Sequence, residues 1–331
     1  MFLAFKNKRC LRTVADNTFF HESIIRDADE WYRIILSDCT LCPRFCHVNR
    51  LDGQTGYCGQ TAEIMAARAS LHYWEEPCIS GTSGSGTVFF SGCSLRCIFC
   101  QNHNIALGKA GRVISPGHLV EIFLQLQEQG ANNINLVTPT HFLPQIVLAL
   151  KQAKNQGLSI PVIYNTGSYE SPEALRHLEG LVDIYLPDLK YFSPELSAAY
   201  SHAPDYFGTA CAAIAEMYRQ VGDPVTDNTT GLMKRGIIVR HLLLPGQTKD
   251  SKKILRYLHE TYGDHIYISI MNQYTPLPQV AGIEALNRTV TPEEYERVLR
   301  FAERIGIERG FRQEGTAASE SFIPEFDERG L

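Results

Sequence analysis

The sequence predicts an α/β protein: an incomplete (β/α)6 TIM-like barrel, or an open doubly wound sheet, with an N-terminal Cys-rich extension. Three observations predict it. From residue 87 onward, six β-rich runs alternate with segments of helical period. Strand followed by helix, repeated, calls for parallel strands joined by helical crossovers. Residues 1–85 lack this alternation and instead hold four cysteines close together. The expected parts are therefore a metal-binding extension over 1–85, the barrel over 86–310 and a C-terminal tail or lid over 311–331.

The expected strands are residues 87–91, 133–138, 161–165, 182–186, 236–243 and 266–271. Between the first two, residues 116–129 place Leu119, Ile122, Phe123 and Leu126 on one helical face and stop at Gly130. Ser171-Pro172-Glu173 and Thr291-Pro292-Glu293 read as helix starts, with a capping hydroxyl and Pro at the first helical position. Tyr295, Val298, Leu299, Ala302 and Ile305 continue the second as an apolar stripe. Residues 208–231 insert a helix, over 210–220, and a polar loop before the fifth strand. In such sheets the loops after the strands gather at one end, where ligands bind.

The composition is that of an ordinary globular chain: 331 residues, 44% hydrophobic and 20% charged. With 31 Lys+Arg against 36 Asp+Glu, the net charge is -5, which argues against nucleic acid as a partner. No apolar run approaches the roughly 18 residues of a membrane helix. The first five residues are apolar and meet Lys6, Lys8 and Arg9 at once, the wrong order for a signal peptide, so a cytoplasmic location is expected. Ten cysteines in such a chain point to metals or thiol chemistry rather than disulfides.

Cys93, Cys97 and Cys100 follow the first strand with the spacing C-x3-C-x2-C. Three soft thiolates on one loop suit an iron-sulfur cluster and leave one iron of a four-iron cluster open. Zinc completed by a distant His, or three thiols packed around the barrel mouth, is the plainer alternative. With Phe99 just before the last Cys, this loop resembles that of the radical S-adenosylmethionine (radical SAM) superfamily. The resemblance runs from about residue 88 to 273. Within the superfamily the chain looks similar to relatives of pyruvate formate-lyase activating enzyme that carry an extra N-terminal Cys cluster. Residues 42–50, 88–93 and 135–142 carry that likeness.

The resemblance implies a [4Fe-4S] cluster on Cys93, Cys97 and Cys100. It also implies SAM chelated to the open iron, and cleavage of SAM by one electron from a donor such as flavodoxin or ferredoxin. The resulting 5'-deoxyadenosyl radical abstracts hydrogen. By motif, Asp188 and Lys190 after the fourth strand match an Asp-x-Lys near the SAM ribose. Asn165 stands where activating enzymes often have an acid, near the methionine part. Where those enzymes usually carry Gly-Gly-Glu-Pro, this chain has Thr138-Pro139-Thr140-His141, so Thr138 and Thr140 are candidate replacement acceptors. Gln273, after the last strand, is a candidate to close over adenosine with Tyr274. His103 and His141 lie on loops of the same face and read as structural in the first instance.

Cys39, Cys42, Cys46 and Cys58 offer four ligands among turn-forming Pro43, Gly53, Gly56 and Gly59. Zinc and a second iron-sulfur cluster both fit; reduced thiols in a small core are the bland alternative. The expected function is radical SAM hydrogen abstraction, with a glycyl radical on a partner protein as its specific form. Radical modification of a small molecule or another peptide is the runner-up. A non-enzymatic iron-sulfur or zinc electron-transfer protein is the competing class.

Overall fold

The computed structural model describes residues 27–313 and 324–331. The readings of residues 1–10, and of most of the tail, fall outside them. In chain order the strands are β1 (Ile64–His72), β2 (Ser85–Phe90), β3 (Arg112–Ile114), β4 (Ile134–Val137), β5 (Val162–Thr166), β6 (Ile184–Pro187), β7 (Val225–Thr226), β8 (Met233–Leu242), β9 (Tyr267–Met271) and β10 (Gly310–Arg312). All six expected strands form, as β2, β4, β5, β6, β8 and β9, and each pairs parallel with the next. Among the described residues the sheet runs β10-β9-β8-β6-β5-β4-β2-β1-β3 and does not close. It is an open barrel of parallel strands, extended at one side by antiparallel β1 and β3 and at the other by parallel β10. Because β1 pairs with β2, the sheet continues back across residue 85.

The main helices are α1 (Ala28–Ser37), α2 (Pro77–Ser80), α3 (His103–Ala106), α4 (Pro116–Glu128), α5 (Leu143–Asn155), α6 (Pro172–Leu175), α7 (Pro194–Ser201), α8 (Tyr206–Val221), α9 (Thr248–Tyr262) and α10 (Pro292–Ile305). The expected caps are made. Ser171 Oγ accepts from Ala174 N and Thr291 forms a reciprocal capping box with Glu294; Ser115, not among the expected caps, accepts from His118 N in the same way. Alternation along each strand sorts side chains into two faces. Outward, Val88, Leu136, Tyr164, Tyr185, Ile237 and Ile268 pack with Phe123, Ile146, Ile214, Leu258 and Val298 of the helices into one buried core. Each such side chain contributes about 1.5–3 kcal/mol by leaving water.

The inward face changes character along the strands, and this positions the site. Near the strand starts, Ile163, Ile184, Leu186 and Ile238 enclose Ile79 of α2, which plugs that end of the barrel. Asn133 Nδ2 donates to Ile79 O at 2.9 Å and fixes the plug. Farther along, at Asp188 just after β6 and Arg240 late in β8, polar residues take over the inward face, joined by Asn135, Asn165 and Ser269. One end is therefore sealed by aliphatic packing, and the other is left to chemistry. The final residues return along β1, where Glu328 N donates to Ala67 O and Ala69 N to Arg329 O. Among the described residues no helix is long and apolar enough to cross a membrane.

Candidate active site

The chain leaves β2 through Ser91 and Gly92 straight into the three-cysteine loop. Gly92 has φ +94, and a Cβ there would meet Gln60 Cγ at 2.5 Å, Cys58 O at 3.0 Å and His141 Nε2 at 3.0 Å. Only glycine lets the loop start so close to its neighbours. His141, buried in the turn after β4, donates from Nε2 to Ser91 O at 2.6 Å, and burial pushes its pKa down to about 3. It is thus a neutral strut under the loop. Phe99 is buried and meets Tyr191, Tyr200 and Tyr274 edge-on at 6.0–6.4 Å between ring centroids, while Ile98 N donates to Tyr200 O.

Two of the three sulfurs already accept hydrogen bonds: Cys93 Sγ from Leu95 N at 3.3 Å, and Cys97 Sγ from Ser201 Oγ at 2.9 Å. Burial raises the Cys97 thiol and takes Cys100 up to about 12, while the Lys190 ammonium pulls both back toward thiolate. A bound cation completes that deprotonation. Soft donors, sulfur-directed hydrogen bonds and a nearby ammonium make a donor set that fits an iron-sulfur cluster. Among the described residues no three Cys, His, Asp or Glu side chains converge on one metal-sized point, so the thiols must turn inward to bind one.

Next to this loop lies a buried polar group at the ends of β5, β6 and β8. Asp188 bridges to Arg240 on the neighbouring strand, and its carboxylate accepts from Lys190 Nζ at 2.6 Å and Arg240 Nε at 3.0 Å. Burial alone would raise Asp188, but Lys190 and Arg240 outweigh it and hold the carboxyl below its usual range. Arg240 also reaches Glu75 Oε2 at 3.1 Å and Asn165 Oδ1, and Asn135 Nδ2 donates to Glu75 Oε1 at 3.0 Å. Glu76 is buried, which raises its pKa, and its Oε2 has no partner; Asn135 Oδ1 has none either.

Asn165, Asp188 and Lys190 are thus brought together. Thr138 borders them, donating its N-H to Asn165 O at 2.9 Å, and takes the left-handed φ of +56 that glycine favours. That turn keeps a glycine-like path although the residue is Thr. Thr140 is not part of this group: its hydroxyl donates to buried Glu170 at 2.6 Å, as do Thr166 Oγ1 and Tyr164 OH. Gln273 is tied to the cysteine loop, its O accepting from Gln101 Nε2 at 2.9 Å. A cavity of about 220 Å³ opens beside Cys97, lined by Arg96, Ile98, His103, Leu107 and Gln279, and none of the polar group lines it.

Sequence reasoning missed Arg240, Glu75 and Glu76. Arg240 had a signal, a lone charge inside the apolar run of β8 at an inward position. Glu75 and Glu76 had none, since their role depends on α2 folding back under the barrel.

The four N-terminal cysteines sit on the flank of the same loop. His47 N donates to Cys39 O, Tyr57 N points at Cys46 Sγ at 3.3 Å, and a Cβ on Gly56 would overlap Cys46 Sγ at 2.7 Å. Arg44 clamps this knuckle to the barrel: Nε donates to Ser94 O at 2.8 Å, Nη1 to His202 O at 2.6 Å and Nη2 to Ser201 O at 3.1 Å. Its guanidinium lies 3.9 Å over the Tyr57 ring.

The sequence profile described as the Radical SAM superfamily matches residues 87–258, from within β2 into α9. The chain belongs to the radical SAM superfamily. An uncharacterized protein of Methanocaldococcus jannaschii is 28% identical, with 83% of this chain and 77% of that protein covered. Among solved structures, methylornithine synthase is similar at 13% identity, covering 71% of this chain and 66% of its own, with a TM-score of 0.48. SuiB of Streptococcus suis bound to precursor peptide SuiA is similar at 14% identity and TM-score 0.45, covering 68% of this chain; this chain spans about half of SuiB, 48%. A domain of a pyruvate-formate lyase-activating enzyme from Bacteroides vulgatus is similar at 14% identity and TM-score 0.38, covering 53% of this chain and 94% of that domain. Membership of the superfamily implies a [4Fe-4S] cluster and SAM.

Proposed function

We propose that this radical SAM protein abstracts hydrogen from a polypeptide and leaves a glycyl radical on it. The observation that carries the reading is the place of the three-thiol loop. It leaves the first parallel strand at the polar end of the barrel, within electrostatic reach of Lys190 and so of the Asp188–Arg240 group. When bound, the cluster and SAM supply a 5'-deoxyadenosyl radical after one-electron reduction by a flavodoxin or ferredoxin.

The chain's own residues then divide the work. Cys93, Cys97 and Cys100 hold iron as thiolates and leave a position for SAM. Asp188 accepts from the ribose hydroxyls, kept ionised by Lys190 and Arg240. The Thr138 turn and Asn165 border the methionine part, and Gln273 borders the adenosine. Thr140 supports the turn through Glu170 rather than touching SAM. Phe99 and its three tyrosines exclude water from the loop's underside. A polypeptide is favoured because, among the described residues, the sheet ends at β3 and β10 without pairing them, and an unclosed barrel suits a loop as substrate.

A second reading, a small substrate, has one observation in its favour. Glu76 Oε2 and Asn135 Oδ1 are unpaired acceptors inside the barrel and suit an amine. Anaerobic reconstitution, reduction and SAM should yield 5'-deoxyadenosine, and deuterium should pass into it from the true substrate. A glycyl radical in the electron paramagnetic resonance spectrum of a partner supports the first reading. Label transfer from a small amine without a protein radical overturns it in favour of the second, and no 5'-deoxyadenosine at all overturns both.

A further inference from the structure

Arg50 is a buried cation with no acid beside it. It is 1% exposed; Nη2 donates to Thr61 O at 2.6 Å, while Nε and Nη1 have no partner, and among the described residues it forms no ion pair. Taking a guanidinium out of water costs several kcal/mol unless an anion compensates it. Arg50 lies against the segment that follows Cys58: Ala62 N donates to Arg50 O at 3.2 Å, Arg50 Nη2 reaches Thr61 O, and its guanidinium sits 5.9 Å from the Phe142 ring. Cys58 and Cys39 are buried themselves, and short backbone hydrogen bonds fold the cysteines into one knuckle: Cys39 N to Val48 O, His47 N to Cys39 O and Phe45 N to Cys42 O, all at 3.0–3.1 Å, with Tyr57 N, next to Cys58, on Cys46 Sγ.

We propose that Cys39, Cys42, Cys46 and Cys58 bind one metal centre as thiolates and that Arg50 is its buried counter-cation. Each thiol gives its proton to solvent on binding. Four thiolates around a zinc ion, or around an oxidised four-iron cluster of charge plus two, make a dianion, and either accounts for the unpaired guanidinium. The Tyr57 N-H aimed at Cys46 Sγ and the bare Gly56 beside it are the sulfur-directed amide and the open space that such a knuckle needs. Arg50 does not touch the metal; it is a positioning residue acting through charge. The metal centre also shapes the turn bearing Arg44, and hence the flank of the Cys93 loop.

The test uses the full chain carrying Cys93→Ala, Cys97→Ala and Cys100→Ala, purified without oxygen, so it does not depend on the radical SAM site. Elemental analysis should find about one zinc or about four irons per chain, lost on adding Cys58→Ser; the absorption and Mössbauer spectra tell the two metals apart. Folded protein with neither metal overturns the proposal. Release of that metal to a chelator should quicken at least tenfold in Arg50→Met and by threefold or less in Arg50→Lys, which keeps the charge. Release from Arg50→Met at the parent's rate overturns the counter-ion role. Should that variant not fold, Arg50→Lys decides: release more than tenfold faster despite the retained charge counts equally against it.

Discussion

The two cysteine groups sit side by side but are held in place by different physics. Cys93, Cys97 and Cys100 hang from β2, whose outward residues Val88 and Phe90 are fully buried in the main core, so the fold places their loop before any metal arrives. Cys39, Cys42, Cys46 and Cys58 lie in a stretch whose one regular element between α1 and β1 is a single 3-10 turn, Arg50–Asp52. Few apolar side chains there are buried, Leu41 being the main one. A loop on a packed strand inherits its shape from the core; a knuckle without a core takes its shape from ligands and clamps.

The largest expected effect breaks that comparison in two. Replacing Cys93, Cys97 and Cys100 by Ala should reduce 5'-deoxyadenosine formation to background, yet move the melting temperature by no more than about 5 °C, because β2 and its neighbours remain packed. Replacing Cys39 and Cys58 by Ser should do the opposite to structure: limited proteolysis should open between residues 38 and 63 while the barrel stays resistant. Equal protease resistance in both variants would show the knuckle to be as self-supporting as the barrel.

Next in size is the charged group at the polar end. Asp188→Ala leaves Arg240 and Lys190 buried without their shared carboxylate, and should cost about 3 kcal/mol in urea unfolding. SAM binding should weaken while cluster assembly survives. Adding Lys190→Met should recover part of the stability, because among the described residues the ammonium pairs with Asp188 alone and one uncompensated cation is removed, whereas Arg240 still has Glu75. A fully additive double variant would mean that the two side chains do not act as a pair.

How much of this was legible beforehand follows the same division. The parallel strands could be read because β-branched and aromatic runs recur between helical stripes such as Leu119, Ile122 and Phe123. β1 could not: its Ile64–His72 run is rich in Ala and broken by Arg68, and it is a strand because β2 and β3 offer it partners. β3 and β10 span three residues each, too short to carry a period. At the candidate site, the cysteines could be picked out by their spacing, and Asp188 and Lys190 by the Asp-x-Lys motif that the family resemblance supplies. Arg44 and Glu75 could not, because the hydrogen-bond partners of their side chains are 50 to 165 residues away and only the folded chain brings them together; Arg50 has its hydrogen-bond partner Thr61 only 11 residues on, but its burial is a property of the fold.

His141 gives a smaller effect, dependent on pH. Its folded pKa is depressed to about 3, so the native state keeps it neutral while the unfolded chain protonates it below its ordinary value of 6.5. The stabilisation is therefore complete above about pH 6.5 and is lost as pH falls, by about 2 kcal/mol at pH 5. His141→Gln, which retains a donor toward Ser91 O, should remove that slope. The measurement is the difference between the two unfolding curves from pH 7 to 5, since Glu170, raised by burial to about 7, contributes with opposite sign to both. Parallel curves would mean that His141 is solvated rather than serving as the strut beneath Gly92.

The smallest expected effect concerns the joint between the two cysteine groups. Tyr57 touches both: its ring lies 3.9 Å under Arg44, and its hydroxyl donates to Leu95 O over a long 3.4 Å. Tyr57→Phe keeps the ring and loses only that long hydrogen bond, so it should cost no more than about 0.5 kcal/mol. Arg44→Ala, by contrast, removes three donors from the carbonyls of Ser94, Ser201 and His202, and should cost about 2–3 kcal/mol. If the clamp is the guanidinium, Tyr57→Phe should leave both the protease resistance of residues 38–63 and the iron content of the Cys93 loop unchanged, while Arg44→Ala lowers both. A Tyr57→Phe variant as fragile as Arg44→Ala would move the joint from the arginine to the phenol and make the hydroxyl, not the stacked cation, the link between the knuckle and the barrel.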